Sequence, residues 1–249
     1  MIYALLKRRL WLWKNRWMVS LVFLFVGPII LVSMIVFPFK NIFIHSLTGI
    51  PFEHWVTPGL IFVISSISLI PFLYREFFSL RIHRKMLVHI TMAPHTKQNI
   101  VFGYLTVAVF ESLFISLISL SIISILIPLQ LSLAQLFMFL IQLILYLYIL
   151  GNLIVTISLL IDNITPFLLA NIYIIILVIF GNGFLIDFGF FPITIESILR
   201  LQPLSFPYQS LQIFITGGVI EWTNFAIIFI IFLLWLFTNG LLLQKKLNQ

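Results

Sequence analysis

The sequence contains no cysteine and very few charged residues. The absence of cysteine excludes disulfide bonds, thiolate metal sites and thiol nucleophiles. Charged residues make up 8% of the 249 positions, hydrophobic residues make up 62%, and only seven residues are acidic. With a mean hydropathy of +1.19, the chain has too little polar surface to cover a soluble globule. These scarcities indicate an integral membrane protein.

Several kinds of site are also missing. The chain has no Gly-x4-Gly-Lys-Ser/Thr pattern, so it cannot hold nucleotide phosphates in a P-loop. No acid pair, histidine cluster or nucleophile triad falls on one membrane face, so we predict no catalytic, cofactor-binding or metal-binding residue and no enzyme activity. The net charge of +7 comes from basic residues at helix ends. Such residues set topology and attract anionic lipid headgroups, and we expect no nucleic-acid partner.

The longest polar interruption, residues 75–99, holds five of the fourteen basic residues. It separates two apolar runs, and cationic loops between spans remain in the cytoplasm. About twenty apolar residues cross a hydrocarbon core of about 30 Å at 1.5 Å per residue. Counting outward predicts an all-α membrane domain over residues 1–249, with six spans at about 18–37, 55–74, 100–127, 133–160, 167–185 and 222–243. Thr96 is the predicted cap of the third span.

The first seventeen residues combine five basic residues with apolar ones that gather on one side of a helical wheel, although Arg9 and Arg16 intrude on that side. We predict an interfacial helix along the inner leaflet, with tryptophans at headgroup depth. The alternative is a plain basic flank ahead of the first span. No small-residue cleavage site follows, so we expect the first span to stay as an anchor.

Residues 186–221 are apolar but broken by proline, glycine and charge. The pieces 193–201 and 205–215 read as two short helices. A re-entrant hairpin on the outer side fits this pattern better than a seventh span, because broken backbone at membrane depth must be satisfied by protein or water. Twelve basic residues then flank the inner side and two, Lys40 and Arg200, the outer side. This bias predicts cytoplasmic termini.

Glu111 is the one acid placed deep within a predicted span. It lies eleven residues into the third span, about 16 Å from its start and near the midplane. It could contact substrate or relay protons. It could equally be a structural glutamate, bonded to a span that carries Gln142 or Asn171. The polar residues of the candidate translocation path are Glu111, Ser65, Ser68 and Asn171. For Ser112, Ser116 and Ser119, which share helical spacing, we favour close helix packing.

Two stretches carry a family resemblance. The first is Val-Thr-Pro-Gly-Leu-Ile at 56–61, followed by Arg75-Glu76 and by Met-Ala-Pro at 92–94. The second is Gly-Phe-Phe-Pro at 189–192, followed by Leu-Arg-Leu-Gln-Pro-Leu-Ser-Phe-Pro at 199–207. Together with the six spans and the long basic loop, the chain resembles the permease subunit of ABC-2 type exporters.

The resemblance implies a transport subunit with defined partners. Permeases of this family work as homodimers or heterodimers. They lie in an inner (plasma) membrane of the bacterial type. A separate ATP-binding subunit docks on a coupling helix between the second and third spans, so ATP is bound by the partner and this chain binds no cofactor. Here that helix would be carried by Arg81, Arg84, Lys85, Met86, Leu87 and Ile90. The implied cargo is amphipathic, lipid-linked or drug-like.

Two other readings stay open. A gradient-driven secondary transporter would use Glu111 as a proton or cation site, although no paired inverted repeat is visible in the sequence. A non-catalytic membrane subunit of a larger complex would need no polar site at all. The presence or absence of an ATPase partner discriminates both from an exporter.

Overall fold

The computed structural model describes residues 2–15, 17–40, 51–82, 96–127 and 132–247. Within these residues every regular element is helical. The α-helices are α1 Ile2–Asn15, α2 Trp17–Leu31, α3 Phe37–Lys40, α4 Phe52–Leu73, α5 Leu80–Ile82, α6 Lys97–Leu126, α7 Leu133–Leu160, α8 Ile164–Gly181, α9 Ile193–Leu201, α10 Phe206–Gly217 and α11 Trp222–Leu247. π-helical turns at Val32–Val36 and Tyr74–Ser79 join α2 to α3 and α4 to α5, and a 3-10 turn at Phe188–Phe190 precedes α9.

Within the described residues, five helices are long and apolar enough to cross a membrane. They are Trp55–Ile82, Lys97–Leu126, Leu133–Leu160, Ile164–Gly181 and Trp222–Lys246. A shorter apolar helix, Leu24–Lys40, precedes them. The all-α class and the multi-pass membrane character predicted from composition are therefore confirmed. The further span at residues 18–37 and the re-entrant path of residues 186–221 stay predictions.

Local capping explains why some helix ends match the prediction. α7 covers the predicted fourth span, residues 133–160, because Ser132 and Gln135 form a capping box: the Gln135 backbone N–H donates to Ser132 Oγ at 3.3 Å and the Ser132 N–H to Gln135 Oε1 at 2.9 Å. Thr96 caps α6 as predicted, accepting from the Asn99 N–H at 3.3 Å. Because capping begins there, α6 starts at Lys97 rather than at residue 100.

The fifth apolar helix is displaced from its predicted bounds. α8 starts at Ile164 and ends at Gly181, whereas the prediction was 167–185. Pro166 is tolerated because it lies in the first turn, where its missing N–H has no helical partner. The helix stops early because Gly183 adopts φ +74°, a left-handed conformation that glycine accepts freely. After it, α9 and α10 occupy the positions of the two predicted short helices.

The helices differ strongly in how much of their surface the protein buries. α4 is buried along most of its length and α7 along more than half. α6 is buried mainly between Ile100 and Val109, and α8 and α11 leave most of their apolar surface outside the core. The residues from Val56 to Ser66 are all buried, which makes α4 the central helix.

An aromatic cluster holds α4, α7 and the segment after α8 together. Its five buried members are Phe62, Phe139, Tyr146, Phe184 and Tyr208. Phe62 is the hub, with ring centroids 5.0 Å from Tyr146, 5.1 Å from Phe184, 5.4 Å from Tyr208 and 5.8 Å from Phe139. The rings meet tilted or edge to face, the geometries that aromatic quadrupoles favour. Ser66 and Tyr146 add a hydroxyl hydrogen bond of 2.6 Å.

Beside this cluster the backbone of α4 comes very close to the chain after α8. A Cβ atom added to Gly59 would lie 2.1 Å from the carbonyl oxygen of Phe184. On the same side of α4, the Tyr208 hydroxyl donates to the carbonyl of Trp55 at 3.2 Å. The Pro58-Gly59 sequence therefore permits a contact that no larger residue allows.

Candidate functional site

The candidate site lies where α1 packs against α4, the π turn after it and α6. This is the end of the molecule at which α4 continues into α5, and we call it the basic end. The opposite end carries Trp55, Gly59 and the aromatic cluster. Two carboxylates, Glu76 and Glu111, receive arginines of α1 at the basic end. They are the main polar contacts between the N-terminal helix and the apolar helices.

Glu111 is held from two sides by α1. Arg9 donates through Nε and Nη2 to the two carboxylate oxygens, and Trp13 Nε1 donates to Oε1 at 2.9 Å. The Arg9 guanidinium also lies 4.7 Å from the centre of the Phe72 ring, a cation–π distance. Trp13 packs edge to face on Phe114 with centroids 5.9 Å apart. A forked arginine pair of this kind fixes geometry as well as charge.

Glu76 is shared between two arginines. Arg8 Nη2 donates to Oε2, while Arg75 donates to Oε1 through Nη2 at 2.9 Å and Nε at 3.2 Å. The Glu76 side chain is 1% exposed, but those of Arg8 and Arg75 are 44% and 39% exposed. The buried acid is therefore fully engaged, and two half-exposed cations surround it.

Glu76 lies within the π turn at Tyr74–Ser79, which follows α4. Pro71 removes a backbone donor within α4, and the Tyr74 N–H then bonds to both the Ile70 and Pro71 carbonyls. A π turn inserts an extra residue and rotates the side chains that follow it. Glu76, Phe77 and Phe78 are buried in succession within this turn, which continues the all-round burial seen from Val56 to Ser66 of α4.

A small cavity lies between α1 and the helices that it packs against. Its volume is about 10 Å³, the space of about one water molecule. It is lined by Leu5, Arg8 and Arg9 of α1 and by Phe72, Glu76, Tyr104 and Val107. At this size the contact between α1 and the spans is closely packed, so the cavity is too small for cargo.

A second charged contact lies at the tip of the basic end. Arg81 donates to the carbonyls of Ser158, at 2.8 Å, and Ile161, and to the carboxylate of Asp162. Lys246 Nζ reaches the same carboxylate at 3.2 Å. One arginine thus caps the carboxyl end of α7 and joins it to α5, while Asp162 links both to α11. The Arg81 hydrogen bond, with help from Lys246, lowers the pKa of Asp162 below its ordinary value of 3.8.

Only one residue of the predicted coupling helix can be placed. Arg81 is in α5, with its side chain 13% exposed and bonded as above. Arg84, Lys85, Met86, Leu87 and Ile90 lie outside the described residues. The docking assignment therefore stays a prediction, with one of its six residues located.

The four candidate path residues are not joined to one another across helices by any hydrogen bond that the described residues show. Ser65 donates to the Phe62 carbonyl at 2.7 Å and Ser68 to the Ser65 carbonyl at 2.8 Å, both within α4. Asn171 donates to the Phe167 carbonyl at 2.8 Å within α8. Glu111 bonds to α1, and not to Gln142 or Asn171 as its structural reading suggested.

Sequence reasoning missed the partners of both glutamates. The sequence pattern predicts only a basic interfacial segment for Arg8, Arg9 and Trp13. One signal was available, because Arg9 breaks the apolar side of the α1 wheel. A cation on the apolar face of one helix and a lone acid within another are complementary, and the structure pairs them.

Comparison with known proteins adds no identity. No protein-family model, curated protein or solved structure matches the chain.

Proposed function

We propose that this chain is the membrane permease subunit of an ABC-2 type exporter for an amphipathic, lipid-linked or drug-like cargo. In this proposal residues 18–37 form a sixth span and residues 186–221 a re-entrant hairpin on the outer side. Both termini are cytoplasmic, in a bacterial-type inner membrane. A separate subunit binds ATP and docks on the segment after α5, and two permease copies, identical or related, form the path.

The observation that carries the proposal is the connection between the docking segment and the spans. α4, the π turn and α5 form one helical rod from Phe52 to Ile82. Its 31 residues extend about 46 Å, longer than a hydrocarbon core of about 30 Å. The rod therefore carries the chain out of the membrane toward residues 83–95. At its tip Arg81 binds the turn between α7 and α8, so a push on the docking segment reaches two further helices directly.

The contacts at the two ends support spans that alternate in direction across the membrane. Arg81, Asp162 and Lys246 meet at the basic end, which brings together the carboxyl ends of α5, α7 and α11. Trp55 and Tyr208 meet at the other end. Helices with neighbouring carboxyl ends run in the same direction, as the second, fourth and sixth spans of the proposed topology must.

The pairing of Glu111 weakens the gradient-driven alternative. A carrier acid must gain and lose a proton during each cycle. Both oxygens of Glu111 accept hydrogen bonds from Arg9, and one also accepts from Trp13. Taking up a proton would break these contacts and release α1. Glu111 therefore suits an anchor for α1 better than a proton carrier.

The proposed mechanism is alternating access driven from the cytoplasm. ATP binding draws the two ATPase subunits together and pushes the segment after α5. The rod passes this movement to the second span, and Arg81 passes it through Asp162 to the fourth and fifth. The central position of α4 means that its displacement changes the packing of the whole core.

The test is affinity purification of the tagged chain from its own host in mild detergent, followed by mass spectrometry. We expect an ATP-binding subunit at one copy per permease. In a second preparation Met86→Glu, Leu87→Glu and Ile90→Glu are combined, and we expect this variant to insert normally but to lose the ATPase subunit. The control variant, Met86→Leu, Leu87→Met and Ile90→Val, keeps the apolar surface and should retain it.

Two outcomes contradict the proposal at different points. Recovery of the chain without any ATPase, in repeated preparations with ATP and lipid present, rejects the exporter assignment. Retention of the ATPase by the glutamate variant rejects the docking surface while leaving the exporter assignment standing.

A further inference from the structure

The arginines around Glu76 carry more charge than that acid neutralises. Arg8 and Arg75 together contribute two positive charges to one buried carboxylate. A guanidinium has five N–H donors. Arg75 uses two of them on Glu76 and Arg8 uses one. Both side chains are about two-fifths exposed, so part of each is accessible beyond its bonds to Glu76. Arg8 also has a side-chain hydrogen bond with Tyr104.

The depth of this pair indicates what surrounds it. Glu76 lies six residues before the end of the rod at Ile82, or about 9 Å along its axis. The rod is about 16 Å longer than a hydrocarbon core of about 30 Å, which leaves about 8 Å at each end if it is centred. The exposed edges of Arg8 and Arg75 therefore lie at the boundary between acyl chains and headgroups. A soluble partner would have to displace lipid to reach them.

The outward face of α1 has the composition of a membrane boundary. Tyr3, Leu10 and Trp11 are 79%, 70% and 66% exposed, and Lys7 and Lys14 are exposed on the same helix. Its other face is occupied, because Arg9 and Trp13 bond to Glu111. These bonds fix the rotation of α1 and turn its aromatic and lysine side chains outward. Aromatic rings alternating with cations are typical of headgroup depth.

We propose that Arg8 and Arg75 form a binding site for the headgroup phosphate of an anionic phospholipid. Each arginine keeps its bond to Glu76 and donates an outer N–H group to the phosphate, a geometry that guanidinium groups favour. Lys7 and Lys14 add attraction without a fixed geometry, and Trp11 and Tyr3 lie beside the glycerol backbone. The site does not depend on an ATPase partner.

The test uses the purified full chain in a neutral detergent. Dioleoylphosphatidylglycerol or dioleoylphosphatidylcholine is added at equal concentration, and the melting temperature is measured. Because a ligand that binds only the native state raises stability, we expect phosphatidylglycerol to raise the melting temperature several degrees more than phosphatidylcholine. Arg75→Gln should remove more than half of this difference. Glu76 stays paired with Arg8 in that variant, so the fold is retained.

Lys14→Gln is the matched control, since it removes the same charge about 9 Å along α1 from Arg8. It should keep at least half of the phosphatidylglycerol effect, and Arg75→Lys should fall between Arg75→Gln and the original chain. Native mass spectrometry of retained lipid gives a second measure if Arg75→Gln proves less stable without lipid. Equal effects of the two lipids, or equal losses in Arg75→Gln and Lys14→Gln, overturn the proposal.

Discussion

The two ends of the molecule are held together by different chemistry. At the basic end, arginines of α1 and α5 reach carboxylates and carbonyls of other helices, as in the pairs Arg9–Glu111 and Arg81–Asp162. At the other end, the rings around Phe62 interlock and Gly59 lets two backbones touch. Charge is abundant at the first end and scarce at the second, and each end uses what its sequence supplies.

The two kinds of contact tolerate movement to different degrees. Ring packing and backbone contact are intolerant of small displacements, because interiors are close-packed and bistable rather than continuously deformable. Ion pairs between long side chains can follow a moving partner, since arginine has several rotatable bonds and several donors. We therefore expect the basic end to move while the aromatic end acts as a pivot. The two ends should also respond to different perturbations.

The largest effect is expected at the backbone contact of the aromatic end. In Gly59→Ala the new Cβ lies 2.1 Å from the Phe184 carbonyl oxygen, so one backbone must shift. We expect a loss of about 3 kcal/mol or more, at the upper end of the range for overpacking. Gly27→Ala is the control, because a Cβ at Gly27 meets nothing within 4 Å although it too neighbours a proline. The measurement is melting temperature and monodisperse yield in detergent. Equal behaviour of the two variants would show that the ends are not distinct.

The next effect tests the charge pair of the basic end. Glu111→Leu leaves Arg9 unneutralised at 19% exposure, and we expect a loss of about 2–3 kcal/mol, less than for a fully buried pair because arginine can reach outward. The double variant Arg9→Leu with Glu111→Leu should recover much of that loss. Melting temperatures of the original chain, both single variants and the double variant form the cycle. Strictly additive losses would contradict a coupled pair.

A smaller effect is expected from one hydroxyl in the aromatic cluster. Tyr146→Phe removes the 2.6 Å bond to Ser66, while Ser66 keeps its 2.7 Å bond to the Phe62 carbonyl. We expect a loss of about 1 kcal/mol that does not change with salt, because both groups are neutral and buried. Tyr173→Phe, at a ring 69% exposed, should leave the melting temperature unchanged. If the loss in Tyr146→Phe depends strongly on salt, the aromatic end also relies on charge, which contradicts the difference between the two ends.

The smallest effect concerns pH at the tip of the basic end. The pKa of Asp162 is lowered in the folded chain, so its contribution to stability is fully present above its ordinary value of 3.8 and is lost as pH falls through the lower folded value. We expect the original chain to lose more melting temperature than Asp162→Asn when pH is lowered from about 6 to about 3 at low salt. The difference should shrink with salt, because Asp162 is 58% exposed. If the melting temperatures of the original chain and Asp162→Asn fall in parallel as pH is lowered, the contacts of Asp162 do not contribute to stability.

The helices could be predicted because their signals are local. Ser132 and Gln135 mark the start of α7, and Thr96 marks the start of α6. The errors at α8 also have a local cause, since Asn182-Gly183 stops the helix before the apolar run ends. Which helix occupies the centre could not be predicted. Side chains that face lipid and side chains that face protein are equally apolar, so hydropathy does not separate α4 from α8.

The sequence predicts only some residues of the candidate site. Glu111 is conspicuous because it is an acid within an apolar run, whereas nothing in the sequence identifies its partner. Its partner Arg9 is 102 residues away, and pairing over that distance depends on how α1 is placed. Glu76 gives a weaker signal, because it lies beside Arg75 at the edge of an apolar run and the sequence does not show the π turn in which it is buried.

The distance in sequence between Arg9 and Glu111 also sets an order of events during synthesis. A ribosome adds about 5–20 residues each second, so about 5–20 s pass between the making of Arg9 and the arrival of Glu111 102 residues later. During that interval Glu76 becomes available to Arg8 of α1 first, while Arg9 still lacks its partner and two further apolar helices enter the bilayer. Arrival of Glu111 then adds the second ion pair of α1, which makes the Arg9–Glu111 contact a late step of assembly.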